Sequence, residues 1–113
     1  MTRASKEDMF VIRMGINTLL ECVRQMEEWW KASGDTGTLR STQRLGNVIA
    51  GIRQKFLPDG NDSDVQVGQA LVIAEGLRDA AGQCTHSQAA LQARLMGAAE
   101  AIERLCRSRE VRL

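Results

Sequence analysis

Between Met9 and Trp30 the apolar residues recur at alternating steps of three and four: Met9, Ile12, Ile16, Leu19, Val23, Met26 and Trp30. A period of about 3.5 residues held this long predicts one α-helix presenting a stripe to a neighbour along its whole length. Phe10, Val11, Leu20 and Trp29 lie beside the stripe and widen it, so this helix carries apolar surface for two neighbours. Ser5 with Asp8 resembles a capping box, and Glu7 and Asp8 put negative charge where the helix dipole favours it. Ser33-Gly34-Asp35 ends the helix, the glycine suiting a left-handed cap.

After a polar loop from Gly34 to Thr38, a second helix is expected to start between Leu39 and Ser41, with Leu45, Val48, Ile49, Ile52 and Phe56 as its stripe. Gly46 and Gly51 each weaken it by about 1 kcal/mol against alanine, or else admit a close neighbour. Pro58 stops it, and Pro58-Asp59-Gly60-Asn61-Asp62 is the strongest turn signal in the chain. Asp62 or Ser63 can cap a third helix, whose stripe is Val67, Ala70, Ala74, Leu77 and Ala81, with Leu71 and Ile73 beside it. So many small residues let a partner helix approach closely.

Gly82 and Cys84-Thr85-His86 make a tight connection to a fourth helix, for which Thr85 with Gln88, or Ser87, supplies the cap. Its stripe is Leu91, Leu95, Ala98, Ile102 and Leu105. Glu100 with Arg104 and Glu103 with Arg107 are spaced as surface i,i+4 pairs, and the tail from Arg107 is expected to fray. The chain is therefore expected to be one all-α domain, residues 1–113, with helices over about 6–33, 40–57, 63–83 and 87–107. Short connections favour antiparallel neighbours, hence an antiparallel four-helix bundle or two packed helical hairpins. Large residues concentrate in the first two helices and alanines in the last two.

Composition narrows the function more than it defines it. The 113 residues carry a net charge of +1, which gives no global attraction to nucleic acid or an anionic membrane. No apolar run approaches the roughly 18 to 20 residues needed to cross a bilayer, and the charged N-terminus does not read as a signal peptide. Cys22, Cys84 and Cys106 are odd in number, widely spaced and without a CxxC pair, which fits buried, reduced thiols and a cytoplasmic location. The composition is compatible with the short helical proteins of bacteria and phages.

Candidate chemistry is sparse. Cys84 and His86 stand two apart in a predicted turn, with no second cluster to complete a metal or nucleophile site, and His86 reads as a turn or cap residue. Glu27-Glu28 and the group Asp59, Asp62, Asp64 sit at surface and turn positions, and the aspartates lack the glutamate that closes an EF-hand loop. No GxGxxG, Walker A or GxSxG sequence occurs. The expectation is a protein without catalytic residues, cofactor, metal or small-molecule substrate.

Two candidate surfaces follow. The first comprises Phe10, Leu20, Trp29 and Trp30, where Trp30 falls on the buried stripe and Trp29 one step off it, at the edge where a partner chain can seat a large ring. The competing reading has both rings capping the protein's own core. The second is Arg40, Arg44, Arg53 and Lys55, with no acidic residue between Arg40 and Lys55, which can pair with phosphates or stand as a solvated face. The leading expectation is a non-enzymatic protein-interaction module acting as a homodimer, adaptor, regulator or chaperone. The alternative is a nucleic-acid accessory protein using the second helix and Arg104, Arg107, Arg109 and Arg112.

Overall fold

A computed structural model of the chain describes residues 6–56 and 67–111, with side chains described for residues 10–55 and 70–107. Among these residues the structure is all-helical, without strands: α1 (Lys6–Ser33), α2 (Thr36–Phe56), α3 (Val67–Gly82), a 3-10 turn (His86–Gln88) and α4 (Ala89–Val111). The long stripe predicted for the first helix is one unbroken rod. Ile12, Ile16, Leu19 and Val23 are 1–4% exposed, so its inner edge is buried lengthwise.

α1 ends as expected. Gly34 takes a φ of +78°, and its N–H donates to the Lys31 carbonyl at 3.3 Å while the Asp35 N–H donates to that of Trp30 at 3.2 Å. These two bonds are a Schellman motif, which a left-handed glycine permits without steric cost. The second helix begins earlier than expected, at Thr36 instead of near residue 40. Asp35 is the reason: one carboxylate oxygen accepts the Thr38 N–H at 3.0 Å and the other the Thr38 hydroxyl at 2.8 Å. This side-chain cap lets the helix start at the end of the turn.

α1 packs chiefly on α2 and α3 chiefly on α4, with narrower contacts of α1 on α4 and α2 on α3. Gly46 settles the question raised by the two α2 glycines. A Cβ there would lie 2.9 Å from Val23 Cγ1, so the glycine makes room for the Val23 side chain of α1, whereas a Cβ on Gly51 meets nothing within 4 Å. Further on, the Arg53 Nε donates to Asn17 Oδ1 at 2.8 Å, which fixes the two helices as antiparallel.

α3 is buried on two sides. Ala70, Ile73, Ala74, Leu77, Ala80 and Ala81 are all at most 1% exposed, a band too wide for one stripe, as a helix lying between α2 and α4 requires. Leu71, expected beside the stripe, is instead 39% exposed. In α4 the buried line runs Leu91, Leu95, Ala99, Ile102 and Cys106, while the expected Ala98 and Leu105 are half-buried. Glu103 does not pair with Arg107; it accepts the Nε of Arg78 on α3 at 2.9 Å and tightens the α3–α4 contact. The helix also persists beyond Arg107, to Val111, past the point where the sequence predicts fraying. The expected caps at Ser5, Asp62 and Ser63 lie outside the described residues.

The connection between α3 and α4 is tied into the core. Gln88, 3% exposed, accepts the Thr85 N–H at 2.9 Å, as the predicted cap requires. Its amide also donates to the hydroxyl of Thr42 at 3.0 Å, and Ser41 Oγ donates to Gln88 Oε1 at 3.2 Å, both from α2. Thr42, fully buried, donates its own hydroxyl to the Thr38 carbonyl at 2.8 Å. A buried amide satisfied at both ends joins the α3–α4 connection to the second helix.

Candidate interaction surface

The residues singled out on α1 divide between core and solvent. Phe10 is 61% exposed and Trp29 66%. Leu20 is half-buried and packed on the core, and Trp30, on the buried line but in the last full turn, is half-buried where its neighbours run out. Val11 and Met14, also largely exposed, join Phe10 at the start of α1. Val11 and Trp29 are eighteen residues apart, five turns at about 3.6 residues each, so they lie in line on one outer face.

Between these apolar ends the α1–α4 face is hollow. A depression of about 320 Å³ is lined by Gly15, Thr18, Leu19, Arg94 and Ala98. A second of about 360 Å³, lined by Asn17, Thr18, Glu21, Cys22, Gln25 and Arg94, adjoins it. Arg94 borders both, is exposed, and makes no hydrogen bond or ion pair with any described residue. Glu21 holds Arg24 within its own helix at 2.8 Å, a pair standing in solvent and therefore of small worth. Along α4 beside the hollows Ala90, Ala93, Gly97 and Ala101 are exposed, interrupted by the equally exposed Arg94, Glu100 and Arg104. Sequence reasoning passes over Arg94 and these alanines, because each is an ordinary surface residue until α1 is laid next to it.

The basic group on α2 is less uniform than its spacing implies. Arg40, Arg44 and Lys55 are exposed, and Arg53 is half-buried with its Nε turned onto Asn17. At the α3–α4 connection, Cys84 aims its thiol at the Ala80 carbonyl 3.7 Å away, and burial pushes its pKa up, away from the thiolate a nucleophile needs. His86 is exposed. Among the described residues no three of His, Cys, Asp and Glu gather in a way that could hold a metal ion, and no helix is long and apolar enough to cross a membrane. No family model, no curated protein and no solved structure matches the chain.

Proposed function

We propose that this chain is a protein-interaction module without catalytic activity, folded as an antiparallel four-helix bundle of two hairpins and working in the cytoplasm as a homodimer, adaptor, regulator or chaperone. One observation carries the reading. α1 buries its inner edge completely yet leaves Phe10, Val11, Met14 and Trp29 in water at 48–66% exposure. Scattered single apolar residues are ordinary on a surface; several large ones gathered on one helix mark a place where another chain binds.

The test is capture with the full-length tagged chain, comparing wild type with the double variant Phe10→Ser, Trp29→Ser. Both side chains stand in solvent, so the variant is expected to keep its circular dichroism and melting temperature while losing the bound protein, whether a second copy or another chain. Equal binding by both proteins removes the reading.

A nucleic-acid role has less behind it. Arg40 and Arg44 share a helical face and are exposed, but Arg53 is engaged with Asn17 and the net charge is only +1. Binding of that kind weakens steeply with salt, and no mobility shift with DNA or RNA at low ionic strength removes it.

A further inference from the structure

We propose that the partner of the α1–α4 face is a second copy of this chain, related by a two-fold axis running along the helices, so that each α1 lies on the partner's α4. This rests on the interaction reading above and names its occupant.

α1 and α4 match in shape and in charge. α1 offers large exposed side chains, Val11, Met14 and Trp29, and α4 offers small exposed ones, Ala90, Gly97 and Ala101. The hollow shared by Thr18 with Arg94 and Ala98 fixes the level of one helix against the other within the chain. A two-fold along the helices exchanges α1 with α4 while keeping every level. It therefore sets Thr18 over the partner's Gly97, Met14 over the partner's Ala101, and Trp29 toward the partner's Ala90. Glu21 and Arg94 border one hollow and so share a level. The same rotation brings Glu21 to the partner's Arg94, twice by symmetry, and supplies a counter-charge to Arg94, which pairs with none of the described residues.

A two-fold across the helices lays α1 on the partner's α1, large on large, and, where it passes at the level of Arg94, faces that residue with the partner's Arg94. An isologous surface must be self-complementary, and the first rotation makes this one so in both size and charge. Two helices about 30 Å long and 20 Å wide together give about 600 Å² per copy, at the lower end of specific interfaces.

Sedimentation equilibrium of the full chain tests this, and a dimer is expected at about 100 μM. A Cβ on Gly97 meets nothing within 4 Å inside the chain. Gly97→Leu should therefore fold normally by circular dichroism and raise the dissociation constant roughly tenfold or more. Glu21→Arg and Arg94→Glu should each weaken self-association by roughly tenfold, while an equimolar mixture of the two variants should associate as wild type does. Only pairing between chains produces that rescue. A wild-type dimer indifferent to Gly97→Leu, or a mixture no tighter than its components, overturns this interface. A monomeric wild type also overturns it; if that monomer still captures another protein through Phe10 and Trp29 the interaction reading stands, and if it captures none both readings fall.

Discussion

The two halves of the chain solve the same packing problem with different side chains. α1 is held by one line of large branched residues, Ile12, Ile16, Leu19 and Val23, while α3 is buried through four alanines with Ile73 and Leu77 between them. Their connections differ as well. The α1–α2 turn stands in solvent and is closed by bonds among its own neighbours, whereas the α3–α4 connection is anchored by buried Gln88 to Thr42, forty-six residues away. A helix held by one line keeps its other face available for a partner; α3, buried on two sides, leaves a narrower one on which Leu71 and Val72 are exposed. The proposed interaction surface therefore lies on α1, and the least forgiving packing on α3.

The sharpest way to break that contrast is to exchange the costs. Leu77→Ala, at a fully buried position of α3, is expected to lower stability by about 3–4 kcal/mol in denaturant unfolding. Phe10→Ser on the exposed side of α1 should change it by less than about 0.5 kcal/mol. Comparable losses at the two sites would mean that the outer face of α1 is packed against something within the chain.

Next in size is the buried amide. Gln88→Leu removes the acceptor of the Thr85 N–H and the donor to Thr42, and should cost about 2 kcal/mol. Thr42→Val should cost less alone, and the double variant less than the sum of the two, because both remove one shared bond. Additive costs would show the link between α2 and the α3–α4 connection to be unimportant. At the first connection, Gly34→Ala forces a Cβ into a φ of +78° and should cost about 1 kcal/mol, with no dependence on residues outside the turn.

This division also explains what the sequence could reveal. The α1 rod, its glycine stop and the Thr85–Gln88 cap are written in residues within a few positions of each other, and all three are present in the structure. The early start of α2 escapes the pattern because Asp35 reads as part of the stop, although a carboxylate three residues before Thr38 is also a cap. The wide burial of α3 has no stripe to announce it, since alanines on two sides blur the 3.6-residue period. Thr42 lies in step with Leu45 and Ile49, but nothing local ties a threonine there to a glutamine in a distant turn. Arg94, with the exposed alanines beside it, gains meaning only from the level at which α1 passes it.

The smallest effect belongs to Asp35, whose cap is fully solvated. Its carboxylate accepts both the N–H and the hydroxyl of Thr38, and these bonds, the backbone one foremost, hold its pKa below the ordinary 3.8. A lowered native value means that the unfolded chain takes up the proton first as pH falls. The stabilisation is then complete above the ordinary carboxylate value and fades as pH drops through the native one. Asp35→Asn should keep most of the cap at neutral pH, because an amide oxygen still accepts from Thr38, while removing this acid-dependent part. Melting curves of wild type and Asp35→Asn should therefore lie close together at pH 7 and converge further below about pH 4, with Asp35→Ala less stable than either at pH 7. A gap between wild type and Asp35→Asn that widens on acidification would show that the carboxylate's bonds to Thr38 do not govern the start of α2.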